Sequence, residues 1–209
     1  MKASIGWITG AAAAALVAAG AITYAVAEDG GGSAPGTPAA GSADAGFARD
    51  MAVHHQQAVE MSYIVRDRTK DPEVRRLAYD IAQTQANQRG MLLGWLDLWG
   101  LPKVSAGPPM SWMGMGGMPE RGDGSLMPGM ATDTEMRKLG TLDGRQAEIF
   151  YLQLMTDHHK GGIHMAEGCV AKCAVGTEKR LARGMVNAQQ SEIALMADLL
   201  KERGAQARS

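Results

Sequence analysis

Charge of one sign, aromatic side chains and alternating apolar patterns are all scarce in this chain. Its 209 residues carry a formal net charge of −1, and aromatic residues make up only 5% of them. A near-neutral chain offers no basic surface for a polyanion, so nucleic acid is not expected as a partner. No segment alternates apolar and polar residues with a period of two, and β-strands are therefore not expected. The sequence predicts an all-α fold.

Methionine, in contrast, is abundant, with 15 residues. Methionine either packs flexibly in a core or supplies thioether sulfur as a metal ligand. No Ser-His-Asp or Cys-His arrangement for nucleophilic catalysis can be recognised in the sequence. The positions at which methionine and histidine occur together are therefore the first place to look for function.

The N-terminal segment predicts export. Lys2 precedes an apolar run over residues 5–27 that ends in Ala25-Val26-Ala27, the small-residue pattern that a signal peptidase cuts. Residues 1–27 are predicted to be a signal peptide or, if the run is not cut, a membrane anchor, because the run is long enough to span a bilayer. Residues 28–46, rich in Gly, Ala, Ser and Pro, predict a flexible linker. We expect an extracytoplasmic protein, either secreted or anchored to the outer face of the cell membrane.

A His-His motif occurs twice, at an offset of 104 residues. The first copy reads Met51-Ala-Val-His54-His55 with Met61 beyond, and the second reads Met155-Thr-Asp-His158-His159 with Met165 beyond. Without a gap, residues 47–100 and 151–204 also match at Arg76/Arg180, Leu77/Leu181, Ala78/Ala182, Gln85/Gln189, Leu96/Leu200 and Gly100/Gly204. These matches indicate an internal duplication that contains four of the five histidines.

Capping and helix-breaking residues predict four long helices. The Asp71-Pro72 pair is typical of a helix start, Asp143 is a second expected N-cap, and Gly100 and Gly204 are expected just beyond helix ends. The predicted helices cover about residues 44–66, 72–99, 144–172 and 177–203.

The connection between the two predicted hairpins is long. Hairpins 47–100 and 143–204 are joined by a Met-rich crossover, 101–142, whose first part has no periodicity and predicts a loop outside the core. A capping box, Thr132-x-x-Glu135, predicts a short helix near its end. A helix of about 28 residues is about 42 Å long, so a long connection can return along the bundle. The prediction is a ferritin-like four-helix bundle over residues 47–204, with pseudo-twofold symmetry and both His pairs at its middle.

Helical geometry turns the repeated motif toward the core. At about 100° per residue, His54 and His158 share the inward stripe of their helices with the motif methionines. His55 and His159 lie on the opposite margin of that stripe, whereas His164 projects to the far side and is expected to be solvated.

The second helix of each hairpin carries two polar residues within an otherwise mostly apolar stripe. If the first hairpin turns near residues 67–70, these residues lie within about one turn of the His pairs. Because buried polar groups need partners, we expect the four to hydrogen-bond or support the imidazoles. They are Gln85, Gln88, Gln189 and Glu192.

The ligand chemistry favours copper, as Cu(I), Cu(II) or both. Imidazole suits copper, zinc, iron and nickel, whereas thioether sulfur selects Cu(I), so zinc is the weaker candidate. The predicted metal ligands are His54, His55, His158, His159, Met51, Met61, Met155 and Met165. The crossover methionines are predicted to be an auxiliary Cu(I) site: Met110, Met113, Met115, Met118, Met127 and Met130. The alternatives are satisfied core histidines and methionines incidental to a linker.

Two cysteines lie near the end of the third long helix. Cys169 and Cys173 are four residues apart, a spacing that allows a metal site or a small disulfide. Export favours the disulfide. Their counterparts in the first copy are Val65 and Thr69, so the cysteines are not part of the duplicated site.

The doubled motif also resembles a known family. The segments Phe47–Met61 and Tyr151–Met165, the Met127-Pro-Gly-Met130 sequence and Gln189-x-x-Glu192-Ile193 resemble the secreted domain of unknown function 305 family. The resemblance covers about residues 47–203. It implies a ferritin-like helical bundle outside the cytoplasm, and it implies copper because some members are associated with copper binding and resistance.

The predicted function is copper binding and sequestration in extracytoplasmic copper homeostasis. One alternative is a metal-dependent redox enzyme of ferritin-like fold. Di-iron enzymes of that fold need carboxylates from all four helices, whereas this chain has Met-x-x-His motifs and one inward carboxylate, Glu192. The other alternative is a helical interaction module that binds no metal. The sequence identifies no protein partner.

Overall fold

The computed structural model describes residues 36–115 and 122–208. These residues form five α-helices and one 3₁₀ turn, Ser111–Met113, without any β-strand. The helices are α1 (Ala43–Arg68), α2 (Pro72–Leu98), α3 (Asp133–Thr141), α4 (Gly144–Lys172) and α5 (Gly176–Glu202). The all-α prediction is confirmed. No helix in these two ranges is both long and apolar enough to cross a membrane. The predicted signal segment, residues 28–35 of the linker and Met118 lie outside the described residues.

The helix ends follow from local capping chemistry. The Asp71 carboxylate accepts hydrogen bonds from the backbone N–H groups of Glu73 (3.0 Å) and Val74 (2.9 Å). Thr132 and Glu135 form the reciprocal capping box that opens α3. Ser42 caps α1, so residues 43–46 are helical and not part of the linker, contrary to the predicted boundary.

The long helices form two antiparallel hairpins. The closest backbone packing joins α1 with α2, α4 with α5, and α1 with α4, while α3 lies against α1 and α4. Contacts at both ends show that α1 and α4 are antiparallel. At one end Asp44 Oδ1 accepts a hydrogen bond from Ala174 N (2.9 Å), and at the other the hydroxyls of Ser62 and Tyr151 lie 3.0 Å apart. The His pairs therefore lie near the middle of the central helix pair.

Two apolar clusters flank this midpoint. The first cluster contains Met51 of α1 and Met165 of α4, and the second contains Met61 and Met155. All four side chains are fully buried. Equivalent residues of the two copies thus occupy opposite clusters, as expected when a twofold axis relates antiparallel helices.

The crossover packs on the bundle, and the prediction that it lies outside the core is wrong. Met110, Met127 and Met130 are buried in the first cluster, and Met113 and Met115 pack against it half-buried. Side chains of α1 also hold its backbone. Asp50 Oδ2 accepts a hydrogen bond from Met110 N (2.8 Å), and Gln57 bonds both Ala131 N (2.7 Å) and Ala131 O (2.9 Å). Because the crossover is irregular, its buried methionines follow no helical or strand periodicity, and the sequence therefore gives no sign that they are buried.

Candidate metal centre

The four motif histidines meet where α1 crosses α4. All four side chains are fully buried. The rings of His54 and His158 stack with centroids 3.7 Å apart and an interplanar angle of 33°, so the two copies are in direct contact. The ring centroids of His158 and His159 are 6.4 Å apart. The site therefore consists of one stacked pair with a further imidazole from each helix beside it.

A backbone carbonyl fixes the tautomer of His158. Its Nε2 lies 2.9 Å from the carbonyl oxygen of His54. Since a carbonyl oxygen only accepts, Nε2 carries the hydrogen and donates, and Nδ1 of His158 is left with its lone pair. This Nδ1 is buried and has no hydrogen-bond partner in residues 36–115 and 122–208.

The outer imidazoles are held by side chains from the neighbouring helices. His55 Nε2 donates to Gln88 Oε1 of α2 (2.9 Å), and His159 Nε2 donates to Glu192 Oε2 of α5 (2.7 Å). Gln88 and Glu192 are equivalent positions of the duplication. In both rings Nδ1 is buried and unpartnered among the described residues. A carboxylate or amide that orients one ring nitrogen in this way is typical of histidines whose other nitrogen binds a metal.

His54 has neither ring nitrogen in a hydrogen bond within the described part of the chain. The Pro128 carbonyl faces the ring but lacks hydrogen-bond geometry, and its effect on the pKa is small beside that of burial. Burial, aided by neighbouring histidines, lowers the pKa of His54 and of His55 to about 3, and that of His158 well below its usual range. These three rings are neutral at pH 7, the form in which imidazole binds metals.

The imidazoles do not by themselves form a closed ligand set. Among the described residues, no three His, Cys, Asp or Glu side chains of this centre bring ligand atoms within 4.8 Å of one another. Fully buried thioethers lie in the apolar clusters on either side, Met51 and Met165 in one and Met61 and Met155 in the other. Thioether sulfur is therefore present in the apolar clusters on both sides of the histidines.

Gln85 and Gln189 do not support the imidazoles, and this part of the prediction is wrong. Both side chains are buried, yet neither hydrogen-bonds a histidine, and both amide polar atoms of Gln85 are unpartnered within the described residues. The oxygen of Gln189 instead lies against Gly162. The α1–α2 connection falls at Thr69–Asp71, later than the assumed turn, and the later turn places position 88 rather than 85 opposite His55.

The crossover closes one side of the centre. At Gly161 of α4 and at Gly129, whose φ is +82°, an added Cβ would overlap the backbone of the other segment. The Pro128-Gly129 backbone therefore sits directly on α4 beside His158. Beyond it lies an open cleft lined by Gly129, Asp157, Lys160, His164 and others. The Pro128-Gly129 backbone separates the buried histidines from this cleft.

The crossover methionines divide into two groups. Met110, Met127 and Met130 belong to the core. Met113 packs against Gly168 of α4, and the Met115 sulfur lies 3.4 Å from Nε2 of the exposed His164. His164 is expected from the sequence to be solvated and is not among the predicted metal ligands; its side chain is exposed but contacts a crossover methionine.

The two cysteines are joined. The sulfurs of Cys169 and Cys173 form a disulfide at the end of α4, and Cys169 lies one helical turn beyond Met165 of the second motif copy. Both residues are buried in the first apolar cluster.

Similar proteins place the chain in a family. The family model for DUF305, a domain of unknown function, matches residues 44–200. The crystal structure of a DUF305 protein from Streptomyces coelicolor is 75% identical, with a TM-score of 0.77, and the match covers 82% of this chain and 99% of that one. A DUF305 fragment from Deinococcus radiodurans is 30% identical, with a TM-score of 0.63 and coverages of 77% and 96%.

A more distant structure has the same fold. CopM in its Cu(II)-bound form has a TM-score of 0.61 at 22% identity, with coverages of 76% of this chain and 96% of that one. None of the curated proteins compared with the chain matches it. The family model covers most of the chain and agrees with the resemblance carried by the doubled His-His motif, and the protein belongs to the DUF305 family.

Proposed function

We propose that this protein binds copper at the histidine–methionine centre and sequesters it outside the cytoplasm. The observation that carries the proposal is the state of the buried imidazoles. In His55, His158 and His159 the Nε2 atom is occupied by an oriented acceptor while the Nδ1 atom is buried without a partner. Three rings held in the same way each offer an Nδ1 lone pair to a metal ion, and side-chain adjustment would have to bring these atoms together.

The energetic cost of this arrangement supports a bound cation. Five ring nitrogens of the four histidines are buried and unpartnered among the described residues. Each such atom costs about 1–3 kcal/mol, a large sum beside the net stability of about 5–15 kcal/mol of a domain. One of the two His54 nitrogens carries the ring hydrogen and cannot bind a metal. A metal ion would remove the cost for those of the other four nitrogens that it ligates. A bound metal therefore accounts for the buried ring nitrogens better than a set of satisfied core histidines does.

The donor set favours copper over zinc or iron. Ferritin-like di-iron sites use carboxylates from all four helices, but Glu192 is the one carboxylate that contacts these histidines among the described residues, and it already accepts from His159. Zinc also binds imidazole but gains little from thioether sulfur. The remaining candidates are the thioethers of Met51, Met61, Met155 and Met165, which select Cu(I). CopM, whose fold this chain shares, has Cu(I)-bound, Cu(II)-bound and Ag-bound forms. Silver and Cu(I) are both soft ions that thioethers bind.

The route into the site passes the crossover. A copper ion from the cleft meets His164 and Met115 before it reaches the Pro128-Gly129 backbone. Met113 and Met115 are therefore proposed as auxiliary Cu(I) ligands, and Met110, Met127 and Met130 as core residues beside the centre. Met118, outside the described residues, is proposed as a further auxiliary ligand from the sequence alone. A ferritin-like arrangement of the hairpins around the centre belongs to the same proposal.

The place of action is proposed from the N-terminus and the Streptomyces coelicolor relative, which is described as a secreted protein. Residues 1–27 would direct export or anchor the chain to the outer face of the membrane, with residues 28–42 as the spacer. Copper held in a buried site there is withheld from redox reactions with solvent. No protein partner is required by this function.

The test removes the outer imidazoles without emptying the core. His55→Phe with His159→Phe deletes two Nδ1 ligands while keeping a buried ring at each position, and Gln85→Leu is a matched buried control that touches no histidine. Anaerobic Cu(I) titration in competition with a chromophoric chelator should show tight copper lost in the double variant and retained in the control. Circular dichroism should show the helices retained in both. Unchanged copper stoichiometry and affinity in the double variant would refute the proposal.

A further inference from the structure

The structure assigns a second metal site, independent of the histidine centre, to the reduced form of the protein. We propose that Cys169, Cys173 and Glu178 bind one thiophilic divalent cation of the zinc class once the disulfide is opened. The two sulfurs and a Glu178 carboxylate oxygen all lie within 4.8 Å of one another. All three residues are buried where α4 ends and α5 begins.

The buried carboxyl group of Glu178 points to a bound cation. Its side chain is fully buried, and neither carboxylate oxygen has a hydrogen-bond partner within the described residues. The neighbouring group is another acid, Asp44, whose Oδ1 already accepts from Ala174 N (2.9 Å) and Val175 N (2.7 Å). Burial and the Asp44 charge raise the pKa of Glu178 to about 9. Near pH 7 the Glu178 carboxyl is therefore protonated in the disulfide form, and its ionised form would have no compensating charge among the described residues.

The duplication supplies an internal comparison for this cluster. At the opposite end of the molecule, the positions equivalent to Cys169, Cys173 and Glu178 are Val65, Thr69 and Val74. Asp44 has Glu148 as its equivalent there. That carboxylate is fully compensated, because it accepts from Arg203 Nε (2.7 Å) and from Thr69 Oγ1 (2.5 Å).

The end of the molecule that carries the cysteines therefore differs from the equivalent end of the first copy in chemistry rather than in fold. It has gained two thiol-bearing residues and a second buried acid. It also lacks the cation, because Trp99 is the equivalent of Arg203, and neither Asp44 nor Glu178 makes an ion pair in residues 36–115 and 122–208. A divalent cation would supply the missing positive charge.

The distances suit a tetrahedral site. Cysteines four residues apart lie on one face of a helix, and the ligand atoms of a zinc site with Zn–S bonds of about 2.3 Å are separated by about 3.8 Å. Once the disulfide is opened the two sulfurs must move apart to that separation, while the Glu178 oxygen already lies within 4.8 Å of them. Both adjustments require side-chain rotation rather than refolding. Asp44 Oδ2 or water would complete the fourth position.

The chemistry balances as two steps. A dithiol reductant attacks the disulfide, the sulfur–sulfur bond breaks, and two thiols form on the protein while the reductant becomes a disulfide. The cation then displaces the two thiol protons and the Glu178 proton, so binding releases up to three protons to solvent. Two thiolates and one carboxylate then surround a charge of +2.

The experiment compares metal binding by the oxidised and the reduced full-length protein, with Cd²⁺ as the probe. The protein is reduced with dithiothreitol under argon, freed of reductant and titrated. We expect one additional Cd²⁺ per chain, accompanied by ultraviolet thiolate-to-cadmium charge-transfer absorption. The His55→Phe/His159→Phe variant should keep this additional ion, which separates it from the histidine centre. Failure of the reduced protein to bind more Cd²⁺ than the oxidised protein overturns the proposal.

Two further variants define the ligands. Cys169→Ser with Cys173→Ser should abolish the additional ion. Glu178→Gln keeps the size of the side chain. Loss of a contact that only supports a ligand weakens metal binding by about 10–100-fold, and loss of the Glu178 ligand should weaken Cd²⁺ binding by more than that. The exposed Glu167→Gln on α4 is the control and should bind as the wild type does. Unchanged Cd²⁺ affinity in Glu178→Gln shows a dithiol site without the carboxylate and overturns the three-ligand assignment.

Discussion

The close approach of the crossover to α4 predicts an unusual response to replacement of Gly161 by alanine. Alanine is favoured over glycine within a helix by about 1 kcal/mol, so Gly→Ala in a helix is normally stabilising when space allows. At Gly161 the added Cβ would lie 2.7 Å from the carbonyl carbon of Pro128 and 3.1 Å from Cα of Gly129. These are backbone atoms, and no side-chain rotation can relieve the overlap.

The expected magnitude follows from these two opposing effects. Forcing an extra carbon into a packed region costs about 1–3 kcal/mol, and a backbone neighbour places Gly161→Ala at the upper end of that range. After the helix-propensity gain, the variant should be about 2 kcal/mol less stable than the wild type. Gly184 lies within α5, and an added Cβ there meets nothing within 4 Å. Gly184→Ala should therefore gain about 1 kcal/mol.

The assay is thermal and urea unfolding of both variants in the metal-free state. A difference of about 3 kcal/mol between them corresponds to about 6–12 °C in the melting temperature for a domain of this size. Displacement of the Pro128-Gly129 backbone should also speed copper uptake by Gly161→Ala in stopped-flow measurements. A Gly161→Ala protein as stable as Gly184→Ala would show that the crossover does not press on α4, and the reasoning about a closed centre would fail with it.

Four other predictions concern the histidines, Glu178, Gln88 and the crossover methionines. In the metal-free protein the pKa of His54 and His55 is about 3, below the unfolded value of 6.5. Their contribution to the free energy of unfolding is therefore complete above pH 6.5 and is lost on acidification. Urea unfolding at pH 5 should show a loss of about 2 kcal/mol for each histidine. Because the pKa of Glu178 is raised to about 9, protonation of this carboxyl adds to the free energy of unfolding as the pH falls. Glu178→Gln removes this gain and should make the loss of stability on acidification steeper. A shallower loss would contradict the raised pKa. Gln88→Leu should weaken copper binding by about 10–100-fold and Gln85→Leu should not, and equal affinities in the competition titration would remove the supporting role of Gln88. Met127→Ala should lower the unfolding free energy by about 2–5 kcal/mol because Met127 is buried. Met115→Leu should reduce Cu(I) capacity at nearly constant stability. A Met127→Ala protein as stable as the wild type would show that the crossover does not belong to the core.

The helices could be predicted because their ends depend on neighbours in sequence. Asp71 caps α2 through N–H groups two and three residues later, and Gly204 has the positive φ that ends a hairpin. The inward direction of His54 and His158 follows equally from the helical repeat. Local chemistry of this kind is complete within about one turn of helix, so a sequence displays it directly.

The position of the crossover and the helix register depend on contacts that no local pattern records. Asp50 and Gln57 of α1 hold crossover backbone 60 and 74 residues away in sequence. The pairing of His55 with Gln88 depends on where the chain turns between α1 and α2, and a shift of a few residues in that turn replaces one glutamine by another. For the same reason the hydrogen bond from His158 to the His54 carbonyl could not be foreseen, since it joins two copies across the molecule.

Glu178 could have been recognised from the sequence by comparison with its own repeat. It lies three, four and seven residues before Leu181, Ala182 and Met185, which form the apolar stripe of α5, and its equivalent in the first copy is Val74. An acid on an apolar helical stripe, at a position where the other copy has valine, indicates a buried charge that needs a partner. Differences between the two copies at buried positions such as Ile81 and Met185 exchange one apolar residue for another, but a buried acid in place of a valine is not a packing exchange. The histidines are identical in both copies and meet where α1 crosses α4, whereas the cysteines and Glu178 occur in one copy only and lie together at one end of α4.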